Sequence, residues 1–326
     1  MTTPIKKDIY YVDASALSDS SCDLRLYYKV VKGYRSKRTS NDIEYGSAFH
    51  HFKKVLTQKA DKFLAMMEGQ KYFLDREPVM EVKPKKQWLN VMHLNSTMTK
   101  YLATFGDKRE KDNFKTAIDS VTGEPMVEVQ FAIPWYVTEC TEILLSGTID
   151  EIGYFPGGCA AIGDEKTTSM WDIKGFFESF KLKPQLRVYL LALERLAQMF
   201  PNGPIAELWS RGVGVFINGV FLKSPSQGDA LNTHFERSPV MYFKEEDLNE
   251  FKVLLNRKVQ KLVYYIEENI TPLREGILNG ACETPYGKCP FFSACSSPNP
   301  QGVLAAHFIT RQYNPLKFHD SPDNPE

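Results

Sequence analysis

Between residues 41 and 75 the apolar positions Phe49, Phe52, Val55, Leu56, Phe63 and Leu64 recur at three- and four-residue steps among lysines. That spacing collects them on one helical face and predicts one or two helices. Residues 86–118 repeat the pattern through Trp88, Val91, Met92, Leu94 and Tyr101, set off by Pro84 and Gly106, which break helices. From Val127 the sequence turns β-rich, in the runs VEVQFAIPWYV from Val127 and EILLSGTIDEIGYF from Glu142. Pro156, Gly157 and Gly158 supply a turn, and residues 160–167 read as the next strand. A helix over 183–199, closed by Pro201, Asn202 and Gly203, precedes a strand over 211–222 and a long amphipathic helix over 245–269. The last fifty residues are rich in Cys, Pro, Ser and Asn, which predicts irregular structure held by something other than a large core. Alternation of helices and strands gives an α/β class with a central mixed sheet flanked by helices.

Composition narrows the function. The chain has 326 residues, 43% of them hydrophobic and 25% charged, as in a soluble globular protein. A chain of this length buries roughly 75% of its unfolded surface, so neither disulfides nor a metal staple is required for folding. Forty basic residues balance forty acidic ones, so contact with nucleic acid would need a local groove rather than a global positive charge. The first residues carry no apolar run after their lysines, and no window approaches the roughly 18 apolar residues of a membrane span. The expectation is a cytoplasmic protein, not secreted, with no membrane association. Six cysteines in such a compartment read as thiols, metal ligands or cluster ligands rather than disulfides.

The candidate chemistry starts at Gly147-Thr148-Ile149-Asp150 and Gly163-Asp164-Glu165-Lys166, two acids and a lysine on consecutive strands joined by a tight turn. Side chains two apart on a strand share a face, so Asp164 and Lys166 point the same way, and a hairpin partner brings Asp150 beside them. Two carboxylates with nearby carbonyls suit Mg²⁺ or Mn²⁺. A lysine there would orient or help deprotonate an attacking water. Taken alone, an Asp-x-Lys triplet is most often ordinary surface charge.

Several further segments stand in order around that triplet: Gly46-Ser47-Ala48-Phe49-His50, then Glu128, and Gln185 with Tyr189 four residues on. Together they resemble the RecB-like branch of the PD-(D/E)XK nuclease superfamily, which includes CRISPR-associated exonucleases and AddB-type iron–sulfur nuclease domains. The resemblance implies a restriction-endonuclease-like core. It makes His50, Asp150, Asp164 and the backbone carbonyl of Glu165 the metal ligands. It makes Lys166 the catalytic lysine, acting with Asp150 and Asp164, and places Gln185 and Tyr189 on the wall of the cleft. Glu128 is similar to an acidic residue that often precedes the core strands. No proline precedes Asp150, a form common in that branch.

Cys22, Cys282, Cys289 and Cys295 resemble the one-early, three-late ligand set of the iron–sulfur members, implying a [4Fe-4S] cluster that clasps both ends of the chain. Structural Zn²⁺ or free thiols are the alternatives, although zinc modules usually pair ligands as Cys-x₂₋₄-Cys. Cys140 and Cys159 fall in predicted strands and are expected to be buried small hydrophobes. Lys32, Arg35 and Arg38, interleaved with Tyr27, Tyr28 and Tyr34, are candidate DNA contacts. Lys174, Lys181, Lys183 and Arg187 could line the mouth of the site. Gly158 to Gly163 has Walker-like glycine spacing, but Asp164 and Glu165 stand where Lys and Ser/Thr are needed, so no motor ATPase is indicated. His51, His93, His234, His307 and His319 form no ligand-spaced set.

The expected organisation is one domain over residues 1–326, with a helical insertion at about 52–120, a catalytic core at about 125–222 and a cysteine-rich region at 280–297 joined to Cys22. The expected function is metal-dependent hydrolysis of DNA, by exonuclease action on ends or single strands in recombination, repair or replication. A helicase or recombinase is the expected partner, in a bacterial cell or a phage-infected host. The alternative is a non-catalytic DNA-binding accessory protein with the same fold.

Overall fold

The computed structural model describes residues 7–106, 113–224, 233–284 and 287–317; His319 lies outside them. Seven strands form one mixed sheet: β1 (Asp8–Asp13), β2 (Lys115–Thr116), β3 (Val127–Val137), β4 (Thr141–Tyr154), β5 (Ala160–Thr168), β6 (Val213–Phe221) and β7 (His234–Arg237). The strand order is β1-β4-β5-β6-β7, and β2 and β3 pair with the other edge of β4. Pro134 is tolerated in β3 because only β4 pairs with that strand and the register shifts between Pro134 and Tyr136. Gly157 and Gly158, at φ 94° and 86°, turn the chain between β4 and β5.

The long strand β4 divides its inner edge between two partners. Its first half pairs in parallel with β1, up to Asp13 with Ser146, and its last four residues pair with β5, from Glu151 with Gly163 to Tyr154 with Ala160. Beyond Gly163, β5 pairs only with β6. A wedge therefore opens in the sheet where Asp150 and Asp164 face each other.

The longer helices are α1 (Asp23–Val30), α2 (Asn41–Lys59), α3 (Lys62–Arg76), α4 (Val91–Phe105), α5 (Pro184–Met199) and α6 (Glu245–Glu267). The main core joins the sheet to the apolar faces of α5 and α6, with Leu186, Val188, Leu191, Val259 and Leu262 buried. A second core forms inside α2, α3 and α4 around Tyr45, Phe49, Phe52, Phe73 and Met98, and closes on Val220 and Leu222 at the end of β6. Close approach explains Gly69: a Cβ there would stand 2.9 Å from both Met98 Sδ and the Phe52 side chain.

The predicted insertion boundary near residue 52 falls inside α2, which runs unbroken from Asn41 to Lys59. The hydrophobic pattern could not separate the site-bearing turn from the rest of that helix, because both share one apolar face. Strand β1 and helix α1 are additional to the elements that the hydrophobic pattern predicts. Cys140 and Cys159 are exposed and lie in the connections flanking β4, not within strands as expected, because the sequence pattern does not mark where a strand gives way to its turn. The C-terminal region contains the short helices Phe292–Ser296 and Pro300–His307, and its strand Phe308–Thr310 pairs with Tyr34–Ser36. Among the described residues no helix is long and apolar enough to cross a membrane.

Candidate metal centre

Gly46 brings α2 onto the sheet: a Cβ there would lie 2.9 Å from Thr167 Oγ1. One turn later His50 reaches the wedge, where its Nδ1 lies 3.4 Å from Asp150 Oδ2. Across the β3–β4 ladder, Val127 pairs with Glu151 and Val129 with Ile149, which sets Glu128 opposite Asp150. Glu128 adopts φ 51°, a left-handed conformation that costs a non-glycine residue about 1–2 kcal/mol. Such strain persists only where surrounding structure enforces it, and it gathers at functional sites.

His50, Glu128 and Asp150 each offer a ligand atom, and the three atoms lie within 4.8 Å of one another. The set fits a divalent cation by its chemistry. Burial, with Lys166 nearby, pushes the His50 ring below the usual histidine range, keeping it the neutral imidazole that can ligate. Burial and the charge of Asp150 push Glu128 up to about 8, against the opposing pull of Lys54 and Lys166, so two half-buried carboxylates confront each other. A cation there would replace the proton.

Asp164 is fully buried and engaged on both oxygens. Oδ2 lies 2.6 Å from Lys166 Nζ, and Oδ1 accepts from Gln185 Nε2 at 3.0 Å and from the Tyr189 hydroxyl at 3.4 Å. Gln185 also donates to the Tyr189 hydroxyl at 2.6 Å, as the four-residue spacing on one helical face allows. Burial alone would depress the Lys166 ammonium, but Asp164 and Asp150 outweigh it and hold the group above the ordinary lysine value. Burial also raises the carboxyls of Asp150 and Asp164.

Glu165 joins the two halves. Its backbone N–H donates to Asp150 Oδ2 at 2.8 Å, and its carbonyl accepts from Lys166 Nζ at 3.2 Å. Its side chain meets Lys53 Nζ at 3.4 Å. His50, Asp150, Asp164, Glu165, Lys166, Gln185 and Tyr189 thus stand around one wedge of the sheet. Glu128 takes the third position beside His50 and Asp150, while Asp164 faces the lysine. Lys53 is the residue that sequence reasoning missed; its signal is the three-residue spacing from His50, which puts both on one face of α2.

The candidate DNA contacts differ in what they already hold. Arg35 Nη1 donates to the carbonyls of Lys29 and Tyr34, and Arg187 Nη1 donates to that of Lys181 while its guanidinium stacks on Phe243. Tyr28 packs between Tyr34 and Phe291. Lys32 lies over the Tyr27 ring, and Arg38 is exposed.

Cys22, Cys282, Cys289 and Cys295, all free thiols, line one cavity of about 240 Å³. Cys22 begins α1, and the Cys289 N–H donates to the Cys282 carbonyl at 2.9 Å across a short hairpin. Tyr28, Phe291 and Phe292 give the cavity apolar walls.

The fold and this constellation of acids and lysine define a phosphodiester-hydrolase type of site. The family model of the PD-(D/E)XK nuclease superfamily matches residues 17–296, and the chain belongs to that superfamily. Its members are nucleases that use divalent metals. A search of the curated proteins found no match.

Proposed function

We propose that this protein is a Mg²⁺- or Mn²⁺-dependent deoxyribonuclease of RecB-like type that degrades DNA from ends or single strands, in recombination, repair or replication. The observation that carries the reading is the meeting of His50, Glu128 and Asp150 beside the Asp164–Lys166 pair. A bound cation would supply positive charge for the phosphate and acidify a water. His50, Glu128 and Asp150 would hold it, with the Glu165 carbonyl close by. Lys166 stays protonated at neutral pH, so it serves as a donor that positions the attacking water and offsets charge on the phosphate rather than as a base. Gln185 and Tyr189 keep Asp164 turned toward Lys166. Exonuclease mode, a cytoplasmic setting and a helicase or recombinase partner rest on the resemblance to the RecB-like branch.

The four cysteines fit a [4Fe-4S] centre in this reading. Four thiolates on one zinc would stand about 3.8 Å apart around roughly 2.3 Å bonds. Among the described residues, only His50, Glu128 and Asp150 bring three ligand atoms within 4.8 Å. The cysteines instead surround a cavity with room for a larger group. Anaerobically purified protein should be brown and contain iron and sulfide; colourless protein with stoichiometric zinc would reject the cluster.

The deciding experiment incubates end-labelled and internally labelled DNA, single- and double-stranded, with Mn²⁺ and either wild type or Lys166→Ala. Progressive loss of the end label by wild type alone is expected. Binding without cleavage under every metal would favour an accessory role, and equal cleavage by both proteins would refute the assigned site.

A further inference from the structure

Three residues past the end of β5, Trp171 stands 60% exposed. The other tryptophans, Trp88, Trp135 and Trp209, are partly buried, and the indole N–H groups of Trp88 and Trp135 donate to Lys85 and Asn256. Among the described residues the Trp171 N–H makes no hydrogen bond and no other ring stacks on it. What it does have is a cation: Lys223 Nζ lies 5.1 Å from the ring centre. The ammonium is held there by cation–π attraction, and the ring, 60% exposed, keeps aromatic surface open for a further flat group.

Its position is set by the sheet. β5 and β6 run parallel, with Thr168 beside Phe221, so Trp171 and Lys223 leave the sheet side by side at the carboxyl ends of two strands. Open α/β sheets bind ligands outside those ends. Asp164 and Lys166 lie on the same β5, and five residues of chain place Trp171 at most roughly 17 Å from Lys166. The chain then carries Lys174, Lys181 and Lys183 back to Gln185, and the Lys183 ammonium lies within electrostatic reach of both Lys166 and Asp164. Basic groups thus connect an open indole face to the site.

We propose that Trp171 is a stacking platform for an unpaired nucleobase of the DNA substrate, with Lys223 and Lys174 contacting the adjoining phosphates. The inference rests on the nuclease reading for the direction of the strand. A paired base has both faces covered within its duplex, so the platform selects single-stranded DNA or a frayed end. Stacking on an aromatic ring tolerates every base, since each has a π face.

The test measures binding of a fluorescent oligothymidylate to the full-length protein without divalent metal, by anisotropy. Trp171→Ala should weaken binding roughly 5- to 150-fold, while Trp171→Phe should retain most of it. An oligomer of abasic spacers of equal length should bind wild type and Trp171→Ala alike. Equal affinity of wild type and Trp171→Ala for the oligothymidylate would overturn the proposal, as would an equal loss on the abasic oligomer. Hydrolysis of bis(p-nitrophenyl) phosphate in Mn²⁺ by wild type and Lys166→Ala tests the nuclease reading separately. Failure there leaves the binding comparison to decide Trp171 by itself.

Discussion

The Lys53 ammonium stands 3.4 Å from the Glu165 carboxylate and donates to the Tyr101 hydroxyl at 2.6 Å, one helical turn from His50. Both ion-pair partners are largely buried, with side chains 15% and 8% exposed. Burial works against the charged lysine, yet Glu165, Tyr101 and Glu151 outweigh it and hold the group above its ordinary value. The pair fixes the residue whose backbone braces Asp150 and Lys166.

Removing that lysine leaves a buried carboxylate without its cation. Lys53→Met should therefore lower unfolding free energy by about 3–5 kcal/mol, read from urea denaturation. It should also weaken Mn²⁺ binding in calorimetry, because the Glu165 backbone loses its anchor. Unchanged stability and metal affinity would contradict this account of the pair.

Glu128 makes the metal-free protein sensitive to pH. Its folded carboxyl is raised to about 8, above the unfolded value of roughly 4.3. Between those values the folded state holds a proton that the unfolded state has lost, so stability falls as pH rises through the window. In EDTA the protein should melt higher at pH 6 than at pH 8, by about 2–4 °C for each kcal/mol involved. Glu128→Gln should flatten this dependence and weaken Mn²⁺ binding. Because binding displaces the proton, wild-type metal affinity should climb with pH up to about 8.

Gln185 acts through Asp164. Gln185→Leu removes the 3.0 Å donor and leaves Oδ1 with Tyr189 at 3.4 Å. Steady-state kinetics on DNA should show kcat reduced about 10- to 100-fold with little change in KM, the size expected for a group that orients a partner of the metal site. A rise in KM at constant kcat would mean that Gln185 contacts DNA instead.

The basic candidates separate by what they already hold. Arg35 and Arg187 donate to backbone carbonyls within the fold, so alanine there should lower the melting temperature. Arg38 is exposed, and Arg38→Ala should reduce the slope of log affinity against log salt by about 0.7 if it contacts a single strand. No change in that slope would remove Arg38 from the interface.

With the proposed [4Fe-4S] centre on the four thiols, Cys22→Ala should yield colourless protein without iron, whereas Cys140→Ser and Cys159→Ser, exposed and remote in sequence from that set, should yield brown protein that contains it. Iron loss in either serine variant would require a different ligand set.

The site was legible where chemistry follows strand and helix periodicity. Asp164 and Lys166 share a strand face, and Gln185 and Tyr189 share a helix face, so short-range spacing sufficed to associate each pair. Glu128 was harder, because its place beside Asp150 comes from cross-strand register and a left-handed backbone that no local pattern announces. Lys53 was hidden by its charge: in a lysine-rich helix it reads as solvated surface until Glu165 is seen to meet it. The long strands and helices carried clear periodicity. β1 did not, because its six residues depend on a parallel partner more than a hundred positions away. Cys140 and Cys159 stand outside the strands expected to bury them, because apolar runs do not mark where a strand gives way to its turn.

The cavity shared by Cys22 with Cys282, Cys289 and Cys295 has a consequence for synthesis. Its walls come from segments about 260 positions apart, while every residue from His50 to Tyr189 leaves the ribosome before the last three thiols do. A chain broken off before Cys282 would carry every residue proposed for the metal site and only one of the four cysteines. Closure of the cavity thus waits for the segment that carries Cys282, Cys289 and Cys295.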